Sequence, residues 1–111
     1  MQDNELFELC DKVWNVIGLE DNDHDVMLYA IGKKGEIWDK DAAWLYSKKY
    51  APLYTSDYLL EKLGDYVELK HFGKGYGVTK YVDDQIINSW SDTPLKALLK
   101  LTLALHKAGE L

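Results

Sequence analysis

The run from Asp65 to Leu111 constrains this chain most: three stretches of period-two alternation, joined by hairpin-length turns, pass directly into a capped helix. In Tyr66-Val67-Glu68-Leu69-Lys70-His71-Phe72, Val67 and Leu69 point one way while Glu68 and Lys70 point the other, as in a strand with one covered face. Gly73-Lys74-Gly75 supplies a turn. Tyr76 to Val82 is a second strand, with Val78 and Val82 on one face, and Asp83-Asp84 is short enough to close a two-residue hairpin into a third strand, Gln85 to Trp90. The pattern predicts an antiparallel three-stranded meander.

The helix that follows is specified at both ends. Thr93 is placed to cap it, Pro94 occupies a first-turn position where a missing amide donor costs nothing, and Gly109 is a natural stop. Leu95, Leu98, Leu99, Thr102 and Leu105 fall on one face, and Ala97, Leu101, Ala104 and Ala108 widen it until most of the helix must be buried. Lys96, Lys100 and Lys107 mark the expected solvent side, with Leu103 intruding on it.

Upstream, Leu6, Leu9, Cys10, Val13 and Ile17 form an apolar helical stripe that Phe7 and Trp14 broaden and Gly18 ends. Cys10 lies inside the stripe and is expected to be a small buried hydrophobe rather than a reactive thiol. Val26 to Ile31 and Glu36 to Trp38 are spaced to pair as a hairpin, Asp41 to Lys49 has a weak helical pattern halted before Pro52, and Thr55 to Leu63 is a short helix with Leu59, Leu60 and Leu63 inward and Gly64 closing it. The predicted fold is α+β: a three-stranded antiparallel meander followed by a C-terminal helix, with the N-terminal helices and the hairpin packed on it as a single domain spanning residues 1–111.

Composition excludes several function classes. All thirteen basic residues are lysine, so the planar arginine fork that reads guanine edges is missing, and the net charge of −6 disfavours contact with phosphates; no direct nucleic-acid partner is expected. The acidity is local, because residues 1 to 25 hold eight acids and one lysine while the remainder is nearly balanced. No apolar run reaches membrane length, Met1-Gln2-Asp3-Asn4-Glu5 does not read as a signal peptide, and the lone cysteine has no internal disulfide partner; the expectation is a reducing cytoplasm and no membrane.

The motifs with apparent chemistry fail on their spacing. Asp21, Asp23 and Asp25 sit at the first, third and fifth positions of a calcium loop, but Val26 stands where glycine makes the sharp turn and Gly32 where a bidentate glutamate must close the site. Gly73-Lys74-Gly75-Tyr76-Gly77 joins two strands instead of opening a helix, so no row of helix amides faces a phosphate. His24, His71 and His106 share no motif, and no nucleophile stands beside a base. No cofactor, metal site or catalytic residue is assigned, and a non-catalytic role is expected.

Residues 18 to 21, Gly-Leu-Glu-Asp, the segment Ala51-Pro52-Leu53-Tyr54-Thr55-Ser56-Asp57-Tyr58-Leu59-Leu60-Glu61-Lys62-Leu63, the Tyr66-Val67-Glu68-Leu69 strand and the closing Ser91-Asp92-Thr93-Pro94-Leu95-Lys96-Ala97-Leu98 helix resemble small uncharacterised proteins of bacteriophages and prophages. That resemblance covers most of the chain and implies a bacterial host cytoplasm, with no particular activity. Residues 66 to 108 are also similar to the HicB-type antitoxin arrangement, on Gly75-Tyr76-Gly77-Val78 and Asp92-Thr93-Pro94-Leu95-Lys96-Ala97-Leu98; that likeness implies an inhibitor that binds a small toxin protein. The chain differs from that arrangement in its long N-terminal extension and in having no recognisable DNA-binding module after the helix. A meander has two faces and one helix covers one of them, so Tyr66, Phe72 and Tyr81, together with Leu103, are the candidate protein interface, and a homodimer or another protein partner is expected.

Overall fold

The computed structural model describes residues 4–18, 29–32, 37–39 and 50–110. The acidic stretch Glu20 to Asp25, residues 33–36 between the two pairing segments and the weak helical pattern Asp41 to Lys49 lie outside the described residues. The chain divides into two compact units, Met1–Thr55 and Ser56–Leu111.

In the first unit, helix α1 (Asn4–Ile17) ends at Gly18, whose φ of 68° is easy only for glycine and whose amide donates to the Trp14 carbonyl at 2.9 Å. Its buried side chains are Phe7, Leu9, Cys10 and Val13, as the apolar stripe predicts. The hairpin forms from β1 (Tyr29–Gly32) and β2 (Ile37–Asp39), antiparallel with Ala30 opposite Trp38. A third strand, β3 (Tyr50–Pro52), which the sequence pattern did not announce, pairs with the other side of β1. The sequence pattern makes Pro52 the stop of a weak helix, yet proline is tolerated on an edge strand, and β3 is an edge in the order β2-β1-β3. The fully buried Tyr54 then donates from its hydroxyl to the Gly18 carbonyl at 2.8 Å, tying the chain after β3 to the end of α1.

In the second unit, α2 (Ser56–Leu63) buries Tyr58, Leu59 and Leu63, and Gly64 closes it at φ 77°. Leu60 is half-buried, and Tyr58 takes the inward place expected of it. The meander follows as β4 (Val67–Phe72), β5 (Gly75–Val82) and β6 (Gln85–Ser91), in the order β4-β5-β6 with every pair antiparallel. Both connections are two-residue turns, and Gly73 and Asp83 take the positive φ (52° and 49°) that the first position of such a turn requires. Lys80 donates to the Leu63 carbonyl at 2.8 Å and also to that of Asp65, so its charge sits at the negative end of α2.

Helix α3 (Pro94–Lys107) begins as expected: the Lys96 amide donates to Thr93 Oγ1 at 3.2 Å, with Pro94 in the first turn. It ends with the Gly109 amide on the His106 carbonyl and the Glu110 amide on the Leu105 carbonyl, Gly109 being left-handed at φ 79°. Ala97, Leu98, Leu99, Leu101, Thr102 and Leu105 are buried, and the helix packs on β6, β5 and α2. One assignment is corrected. Lys96 is not on the solvent side but only 7% exposed, its stem buried and its ammonium reaching Asp92 Oδ1 at 3.4 Å.

Candidate functional site

Pairing register decides which side chains share a surface. Successive side chains alternate across a strand, so the odd-numbered residues of β4, the even-numbered residues of β5 and the odd-numbered residues of β6 line one face. That face includes the fully buried Val78 and the buried Ser91, and it is the one α3 covers. Ser89 and Ser91 are small enough to let the helix lie close over β6. The opposite face is open, and it carries Phe72, Tyr81, Ile86 and Trp90, exposed by 56, 44, 64 and 57%.

Two glycines shape this open face. Trp90 stands opposite Gly77, and Phe72 stands opposite Gly75. Each ring leans diagonally over the other glycine, so that a Cβ on Gly75 would come within 2.2 Å of Trp90 Cζ2 and one on Gly77 within 2.9 Å of Phe72 Cε2. The rings thus occupy room that only glycine leaves, an arrangement in which an aromatic side chain shields a bare strand backbone. Further along, the Tyr81 hydroxyl donates to Glu68 Oε2 at 2.7 Å, and Lys70 Nζ lies 3.6 Å from Glu68 Oε1. The tyrosine hydrogen bond, and then the lysine charge, hold the Glu68 carboxyl below its ordinary range, and the carboxylate in turn raises the Tyr81 phenol.

Strand β4 is uncovered in a second sense. Because α3 lies over β5 and β6, Leu69 is 42% exposed although it shares the helix face, and every residue of β4 from Glu68 to Phe72 is exposed. Among the described residues no strand pairs with the outer edge of β4.

The structure places Phe72 and Tyr81 on the same open face, at opposite ends of the sheet. Tyr66 adjoins Tyr81: it precedes β4 with φ 63°, is 76% exposed, and accepts the Tyr81 amide at its carbonyl at 3.1 Å. Leu103 belongs elsewhere, half-buried on α3 on the other side of the sheet. Sequence reasoning missed Ile86 and Trp90. The signal was present, since the two-residue turn at Asp83-Asp84 sets Val78 opposite Ser89 and so turns Ile86 and Trp90 away from the covered face.

Elsewhere, Cys10 is fully buried and burial pushes its thiol up to about 11, which suits a packing role. His71 stacks on Tyr76 with ring centroids 4.7 Å apart, and His106 lies in the last turn of α3. Among the described residues no group of three or more histidine, cysteine, aspartate or glutamate side chains could hold a metal ion, and no helix is long and apolar enough to cross a membrane. Comparison with protein-family models, with curated proteins and with solved structures gives no match.

Proposed function

We propose that this chain is a small, non-catalytic protein-interaction module of the phage or prophage type, working in a bacterial host cytoplasm as a homodimer that associates through the uncovered part of the β4-β5-β6 sheet. The observation that carries this reading is the division of β6: two of its three large apolar residues, Ile86 and Trp90, face away from the helix, while Ile87 shares the helix face with Ser89 and Ser91. A sheet whose sole task was to pack against α3 would be expected to present its bulky apolar residues to that helix. On this face Phe72 and Trp90 lie at one end and Tyr81 and Ile86 at the other, with Glu68, Thr79 and Asn88 in the row between them, a mixed aromatic and polar surface of the kind found at protein interfaces. Sedimentation equilibrium at micromolar concentration tests it. A dimer is expected; a 12.8 kDa species with no concentration dependence overturns it.

A second reading is favoured by the order of the second unit. Three antiparallel strands with Gly75-Tyr76 at the start of the central one, followed by a helix capped at Thr93, agree with the order implied by the resemblance to HicB-type antitoxins. On this reading the partner is a small toxin protein. Affinity capture from host cells tests it, and recovery of only the chain itself would count against it.

A further inference from the structure

We infer that the homodimer is built by edge pairing of β4 with β4 of a second copy, antiparallel about a two-fold axis at Leu69, to make one continuous six-stranded sheet; this rests on the self-association proposed above but places its contact at the β4 edge, leaving Ile86 and Trp90 on the open face of the joined sheet.

Backbone parity comes first. In an antiparallel pair, residues exchange hydrogen bonds with the partner strand at every second position. The bond from the Tyr81 amide to the Tyr66 carbonyl belongs to the same register as Glu68 opposite Thr79 and Lys70 opposite Gly77, so the even-numbered residues of β4 bond to β5. The amides and carbonyls of Val67, Leu69 and His71 therefore point to the open edge. An incoming strand must bond to these three residues.

Charge then selects the register. A two-fold axis at Glu68 sets Glu68 opposite its own copy, and an axis at Lys70 does the same for Lys70; like charges directly opposite are unfavourable. An axis at Leu69 sets Glu68 opposite the second copy's Lys70, and Lys70 opposite its Glu68. The outward-pointing residues then meet one another, Val67 with His71 and Leu69 with Leu69, so every free backbone group of the edge is bonded in the same register that pairs the charges. Glu68 and Lys70 fall at the positions between those hydrogen-bonded pairs, where facing side chains are closest. Tyr66 and Phe72 flank the paired segment on the same face as the charges. The contact is self-complementary, as a closed two-fold interface requires, and it would cover the half-exposed Leu69 that α3 leaves bare.

The test combines charge reversal with amide exchange in the full chain. Lys70→Glu alone, or Glu68→Lys alone, places like charges opposite at both symmetric positions and should raise the dimer dissociation constant on the order of tenfold or more. The double change Glu68→Lys with Lys70→Glu restores opposite charges and should restore the dimer. In the unaltered chain, the amides of Val67, Leu69 and His71 should exchange more slowly as concentration rises through the dimerisation range. A dimer that ignores both single reversals and leaves those three amides fast overturns the edge pairing while leaving self-association intact. A chain monomeric at every concentration overturns both.

Discussion

The indole of Trp90 occupies the space that a β-carbon on Gly75 would need: Cζ2 would lie 2.2 Å and Cε2 2.5 Å from it, and the Ser91 carbonyl oxygen 2.8 Å. A similar relation holds between Phe72 and Gly77, with one difference. There the only close atoms belong to the phenyl ring, at 2.9 and 3.3 Å, and the ring is free to swing into solvent. The two glycines should therefore respond differently to the same change. Gly75→Ala is expected to cost about 1 to 3 kcal/mol, because the backbone of Ser91 cannot yield. Gly77→Ala should be close to neutral, since the freedom lost by glycine on folding offsets the displaced ring. Paired urea titrations check this, and equal costs at the two positions would contradict the geometry.

Leu98 and Leu99 have no exposed surface and lie in the middle of α3. Truncation of either to alanine should cost about 2 to 5 kcal/mol, by loss of burial and by the cavity left behind. The half-buried Leu103 should lose much less. Thermal or denaturant unfolding of the three variants gives the order directly.

The Thr93 cap is local and should behave as a local device. Thr93→Ala removes the acceptor for the Lys96 amide and should cost about 1 kcal/mol, whereas Thr93→Ser keeps the oxygen and should cost little. If the alanine and serine variants unfold together, the side-chain oxygen is not what holds the start of α3.

Cys10 predicts a pH dependence with a definite sign. Its thiol is raised from 9.0 to about 11, first by burial, so the folded state holds the proton more tightly than the unfolded chain. The stability linked to this group is fully present below pH 9 and declines as pH rises toward about 11. Replacing Cys10 by alanine should flatten that part of the stability profile while lowering the whole of it. Native protein at neutral pH should also resist thiol alkylation that proceeds readily in denaturant.

What the sequence determined by itself was everything encoded within a few residues. The turns at Gly73-Lys74 and Asp83-Asp84, the Thr93-Pro94 start and Gly109 stop of α3, the apolar stripe of α1 and the β1-β2 hairpin all follow from short-range backbone preference and spacing. Alternation also separated the two faces of β4 and β5 correctly. It did not say how far the covering helix reaches. Leu69 and Val78 share a face and stand opposite each other, yet Val78 is fully buried and Leu69 is not, because α3 lies over β5 and β6 and leaves β4 outside its footprint. The same placement decided that Lys96 would be buried up to its ammonium, and that Ile86 and Trp90 would stay in solvent. The strand β3 escaped notice for a related reason. Three residues are too few to carry a period, and their pairing with β1 joins segments about twenty residues apart. Helix position and strand pairing are set by long-range packing, in which many distant residues act together, so only the tertiary structure decided which face of the sheet and which edge of β4 were left open.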